Sequence, residues 1–205
     1  MNFLTFKENM FDLACVNIHQ IFAWRPDFDR NNLSRWIRKG YLMRLKQGYY
    51  TFPEYRQKSD FALYFANQIY NPSYISLHTA LAFYGMIPEG VVQITSVTAL
   101  KTASFRNDFG EYAYKSVKNN LMFGYELKKM ADRRAIHFAT PEKALLDLMY
   151  LYPFYNNAQE LMELRLDEDF MSRDLNKDVL SDFCAKFQSK SLDRRIKLLN
   201  KIYEI

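Results

Sequence analysis

Between Asp29 and Phe52 one apolar repeat gives way to another, and a glycine marks the change. In the first part Leu33, Trp36 and Ile37 share one face of a helix at about 100° per residue, while Asn31, Ser34, Arg35 and Arg38 share the opposite face. Asp29 stands where an N-cap is favoured, and Gly40 stands where a glycine favours a helix end. The following "YLMRLKQGYYTF" alternates and turns about Lys46-Gln47-Gly48, which predicts a β-hairpin. Upstream, Phe3, Phe6, Met10, Phe11 and Leu13 make a loose helical pattern. Asn17, with Gln20 three residues on, predicts a second short helix from Ile18, which Pro26 ends. Three short helices followed by a basic hairpin predict a winged helix-turn-helix over residues 1–56.

The charge of this region sets what it would bind. The chain carries a formal net charge of +5 over 205 residues. Residues 30–53 contribute +6 of it through Arg30, Arg35, Arg38, Lys39, Arg44 and Lys46, with no acidic residue among them, so the remainder is close to neutral. Positive charge confined to one segment is the footprint of a polyanion-binding surface, and a solvated helix face is the plain alternative. Guanidinium, amide and hydroxyl groups are the types that reach base edges and phosphates in a major groove. The expected contacts to double-stranded DNA are therefore Arg35 and Arg38 in the groove, with Asn31 and Ser34 assisting base reading. Arg44 and Lys46 in the wing would hold phosphate or enter the minor groove, and Arg30 and Lys39 complete the candidate set.

From Pro53 the chain changes character. "PEYRQKSD" is polar and reads as a linker into a helix at Phe61–Tyr70. A second helix is expected from Ser76, as its cap, to Gly85. Strand signals follow in "VVQITSVTAL", in "ASFRN" and "EYAYKSV" around Asn107–Gly110, in "LMFGYEL" and in "RRAIHFA". Thr140 and Pro141 then cap and open a helix through "PEKALLDLMYLY", and helices near residues 158–166, 177–187 and 192–203 close the chain. Residues 57–205 are thus read as an α+β domain with an antiparallel sheet and C-terminal helices, and the whole chain as α+β. The outer side of the last helix is assigned Arg194, Arg195, Lys197 and Lys201.

An apolar content of 49% supplies a buried core, and no apolar run long enough to span a membrane occurs. No secretory signal is read at the N-terminus, and Cys15 and Cys184 are expected as packed thiols in the cytoplasm. His19, His78 and His137 are too scattered for a metal site. Glu142, Lys143 and Asp147 on one short helix raise a metal-dependent nuclease as the enzymatic alternative. Adjacent Glu142 and Lys143 do not have the spacing that would aim both at one ion. Ser76 with His78 lacks the glycine-framed turn of a hydrolase nucleophile. The expectation is a non-enzymatic protein without cofactor or metal.

The chain resembles the AbiEi-like antitoxins of bacterial type IV toxin–antitoxin systems. The resemblance rests on "LSRWIRKGYLMRLKQGYYTF", "SYISLHTALAFYGMIPE", "ITSVT" and "ATPEKALLDLMYL", in that order over residues 30–151. It implies an N-terminal winged helix followed by an antitoxin domain. It further implies a transcriptional autorepressor, acting on its own promoter, that counteracts a nucleotidyltransferase-like toxin without a stable complex. A homodimer is compatible with this reading. The alternatives are the nuclease, and an orphan regulator or protein-interaction module without a toxin.

Overall fold

The computed structural model describes residues 1–58, 60–88, 90 and 92–204. The first helices are α1 (Phe3–Met10), α2 (Ile18–Trp24) and α3 (Asn31–Arg38). Asn17 and Gln20 form the expected capping box at α2: Asn17 Oδ1 accepts from His19 N at 2.8 Å, and Gln20 Oε1 accepts from Asn17 N at 2.7 Å. The hairpin consists of β2 (Met43–Lys46) and β3 (Tyr49–Thr51), with Gly48 at φ 81° in the turn. A strand of two residues, β1 (Val16–Asn17), pairs with β3, giving an antiparallel sheet of order β1-β3-β2. Too short to show alternation, β1 left no mark in the sequence pattern.

A second, six-stranded sheet has order β6-β7-β5-β4-β9-β8. Its strands are β4 (Ser73–Ile75), β5 (Gln93–Thr98), β6 (Ala103–Asn107), β7 (Gly110–Ser116), β8 (Tyr125–Lys129) and β9 (Ala135–Ala139). The expected antiparallel sheet is corrected here: β4 runs parallel to β9, and β5 runs parallel to β7. Two insertions cause this: β4 lies between β5 and β9, and β7 lies between β5 and β6, which leaves β6 at the edge. Around the sheet lie α4 (Phe61–Ile69), against β4, β5 and β9, then α5 (Leu77–Phe83) and α6 (Pro141–Leu151), which pack on each other. Helices α7 (Ala158–Met162), α8 (Lys177–Phe187) and α9 (Lys190–Tyr203) complete the fold, α8 and α9 covering α6. The chain is a mixed α+β protein, and none of its helices among the described residues is long and apolar enough to cross a membrane.

Two further expectations change. Ser76 does not cap α5; its hydroxyl donates to Asp147 Oδ2 at 2.8 Å, and Thr95 Oγ1 from β5 accepts from Thr79 N at 3.1 Å instead. Arg195 does not line an outer face of α9, because it is buried and donates to the Met149 carbonyl.

The stretch read as a linker is a 3-10 turn, Pro53–Gln57, and its Tyr55 is buried between Phe11 and Phe61. Its hydroxyl donates to the Phe11 carbonyl at 2.7 Å, and its ring lies 5.0 Å from Phe11 and 4.4 Å from Phe61. The Arg134 guanidinium sits 5.5 Å from the Tyr55 ring and 5.3 Å from Phe61. Strand β2 lies beside β6, where Asn107 Nδ2 donates to the Leu45 carbonyl at 3.1 Å. Aromatic contacts therefore run continuously from the first three helices through Tyr55 to α4 and to Phe109 in the turn between β6 and β7.

Candidate nucleic-acid interface

Helix α3 is held at both ends by groups the sequence supplies locally. Asp29 Oδ1 accepts from Asn31 N at 2.9 Å and the Asp29 carbonyl accepts from Asn32 N at 3.0 Å, satisfying two of the donors a helix start leaves open. At the other end Gly40, at φ 71°, donates to Ile37 O at 3.0 Å, and Tyr41 N donates to Trp36 O at 2.9 Å. A left-handed residue is needed there, and glycine adopts it without a Cβ penalty.

Between these ends the helix divides as its pattern requires. Asn32, Leu33 and Trp36 are buried, the Trp36 ring lying 4.8 Å from Phe6, 5.4 Å from Phe3 and 6.0 Å from Phe28. Arg30, Asn31, Ser34, Arg35, Arg38 and Lys39 are all exposed. Arg30 rests its guanidinium 4.9 Å over the Phe22 ring, which fixes the side chain without neutralising it. Arg35 makes one long contact, 3.4 Å from its Nη2 to Asp29 Oδ2, with 59% of its side chain exposed. Such a pair is worth about 0–1 kcal/mol in water, so the guanidinium is readily given up to a phosphate or a guanine edge.

The hairpin separates its two basic residues. In a regular strand Arg44 and Lys46 would point to the same side. The register slips between them, since Arg44 pairs with Tyr50 and Lys46 with the very next residue back, Tyr49. This bulge sends Arg44 out to solvent and turns Lys46 inward. Lys46 Nζ donates to the Ile69 carbonyl at 3.1 Å and lies 4.3 Å from the Phe105 ring and 4.7 Å from Tyr70. Burial holds its ammonium below the usual lysine range. The structure thus places Lys46, expected on a phosphate, against the end of α4 and against β6.

One basic residue was missed. Arg56, assigned to a linker, is exposed on the 3-10 turn and joins Ser34, Met43 and Arg44 around an open groove of about 590 Å³ beside α3, with Asp108 at its rim. No sequence pattern distinguishes Arg56 from its polar neighbours; the turn that carries it is set by Pro53 and by burial of Tyr55. Neither protein-family models nor curated proteins match the chain. The groove and the exposed face of α3 thus stand on their own geometry.

The other charged constellation has a different form. Lys143 and Asp147 are fully buried and paired, one turn apart on α6. Tyr74 OH donates to Asp147 Oδ2 at 2.9 Å, Ser76 Oγ donates to the same oxygen at 2.8 Å, and Lys143 Nζ donates to Tyr74 OH at 2.8 Å. Burial raises the Asp147 carboxyl above its ordinary range and lowers the Lys143 ammonium, each opposed by the partner's charge. Glu142 is turned elsewhere, its Oε1 accepting from Asn176 N at 3.0 Å. The three residues weighed for a nuclease therefore do not converge. Among the described residues no group of three or more His, Cys, Asp or Glu could hold a metal.

Because the Lys46 ammonium is already committed, Lys46→Ala is expected to leave the salt dependence of any DNA affinity unchanged. Arg44→Ala and Arg56→Ala should each lower the slope of log K against log salt by about one. Salt titrations of the three variants on one duplex measure this.

Proposed function

We propose that the chain is a DNA-binding regulator whose α1–α3 and basic hairpin act as a winged helix-turn-helix. The observation that carries this reading is the exposed polar face of α3. It presents Asn31, Ser34, Arg35 and Arg38 directly opposite the buried Leu33 and Trp36, with Arg44 and Arg56 beside it. A helix anchored on one face by aromatics and lined on the other by guanidiniums, an amide and a hydroxyl suits insertion into a major groove. Arg35 and Arg38 have the fork geometry for guanine O6 and N7 or for phosphate, and Asn31 that for adenine. Arg44 and Arg56 would fix the register on the backbone. The resemblance extends the proposal: the regulator represses its own promoter, and the remainder of the chain counteracts a nucleotidyltransferase-like toxin.

Arg35→Ala and Arg38→Ala are each expected to weaken binding to a specific duplex by about 1–3 kcal/mol and to relax sequence preference at one position. Gel shifts on the promoter fragment upstream of the chain's own gene, at fixed salt, test this. Unchanged affinity in the double variant would remove α3 as the reading helix. Growth rescue on co-expression with a toxic product of the adjacent gene tests the antitoxin role, and an adjacent gene without a nucleotidyltransferase-like product, or failure of the full chain to rescue, would refute it.

A further inference from the structure

The two edges of the large sheet are treated differently by the fold. The β6 edge lies against the hairpin strand β2. The β8 edge, Tyr125–Lys129, faces outward, and four of its five residues are exposed. The β8–β9 pairing shows which backbone groups remain on that edge. Thr140 N donates to Gly124 O and Met130 N to Arg134 O, so the hydrogen-bonded pairs with β9 fall on even-numbered residues of β8, Glu126 and Lys128 among them. In an antiparallel ladder bonded and non-bonded pairs alternate. The N–H and C=O groups of Tyr125, Leu127 and Lys129 therefore point away from β9, into solvent.

Edges of this kind invite another strand, and proteins commonly discourage it with lysines. Here the sequence of the edge, Tyr-Glu-Leu-Lys-Lys, answers its own lysines. If a second copy pairs antiparallel about Leu127, Leu127 meets Leu127, Tyr125 meets Lys129, and Glu126 meets Lys128. The bonded pairs of that register are 125 with 129 and 127 with 127, the residues whose backbone groups are unspent. The non-bonded pairs, whose side chains approach most closely, set Glu126 opposite Lys128 twice, once on each side of the two-fold axis. Shifting the register by one residue would put the already bonded even positions on the new ladder, and shifting it by two would remove both charge pairs.

We infer that the chain forms a two-fold homodimer by β8-to-β8 pairing about Leu127, joining the two sheets into one twelve-stranded sheet. The interface supplies about six backbone hydrogen bonds. It covers Leu127, 63% exposed in the single chain, and brings in Phe83, 56% exposed, whose ring lies 5.3 Å from Lys128 Nζ. Lys128 now pairs with Glu126 of its own strand at 3.2 Å, a contact that the dimer exchanges for the one across the axis. An edge pairing of this size lies at the small end of specific interfaces, so assembly should depend on concentration. The inference uses no residue of the proposed DNA face and stands or falls separately from it.

Sedimentation velocity of the full chain over a concentration series tests it. The wild type should move from 24.5 kDa towards twice that mass as concentration rises. Glu126→Lys and Lys128→Glu should each remain at 24.5 kDa, because each sets like charges opposite one another. An equimolar mixture of the two should assemble again, since pairing between unlike chains sets a lysine opposite a glutamate on both sides of the axis. Leu127→Pro removes an outward N–H that β9 does not use and should give a folded, monomeric protein by circular dichroism and sedimentation. A wild type that stays monomeric throughout the series would overturn the inference. So would Glu126→Lys assembling as the wild type does, or a mixture that fails to assemble.

Discussion

Lys143→Met is expected to destabilise the chain by about 3–5 kcal/mol, because it strands the Asp147 carboxylate in a fully buried position. Removing the second charge should help. Asp147→Asn keeps an acceptor oxygen for the Tyr74 and Ser76 hydroxyls while deleting the anion. The double variant Lys143→Met/Asp147→Asn should therefore be more stable than Lys143→Met alone, the reverse of what two independent losses would give. Burial opposes the charged form of both groups, and each partner's charge opposes that shift. Urea unfolding of the two single variants and the double variant measures the coupling directly. A double variant less stable than Lys143→Met would show that the ion pair itself, rather than the stranded charge, carries the effect.

Trp36→Ala should cost about 3–5 kcal/mol through lost burial and the cavity left among Phe3, Phe6 and Phe28. The indole is 6% exposed and lies under the polar face of α3, so its loss would also let that face move. DNA affinity should fall with the same variant even where the protein remains folded, and Trp36→Phe should recover most of both. Urea midpoints and gel shifts on the three proteins check the two effects together. If Trp36→Ala kept full stability and lost only DNA affinity, the indole would belong at the DNA contact and not in the core.

Helix α3 was legible because every local signal agreed: its apolar repeat, Asp29 before it, Gly40 after it. The hairpin was legible through its turn. What escaped was whatever depended on distant partners. Strand β4 has three residues, all buried, and leads straight into α5, so its alternation has no room to show and its signal merges with the helix pattern. Yet β4 joins β5 to β9, and the place of β7 between β5 and β6 is likewise set by pairing that no local pattern shows. Arg44 and Lys46 looked equivalent because a bulge cannot be seen in a strand pattern. The Lys143–Asp147 pair reads as an ordinary surface pair one turn apart. Its setting among Ala144, Leu145, Leu146, Leu148 and Met149 marks a helix apolar all round, which is the sign of a core helix and the one clue the sequence did offer.

The inward turn of Lys46 has a consequence for how such a chain could evolve. The hairpin presents Arg44 to the outside and grips Ile69, Tyr70 and Phe105 with its back. An N-terminal segment borrowed from another protein would arrive with a different back, leaving that carbonyl and those rings without their cation. Recombination at residues 56–57 would cut through the turn that seats Tyr55. Substitution on the exposed face of α3 therefore disturbs fewer contacts than exchange of the whole N-terminal segment.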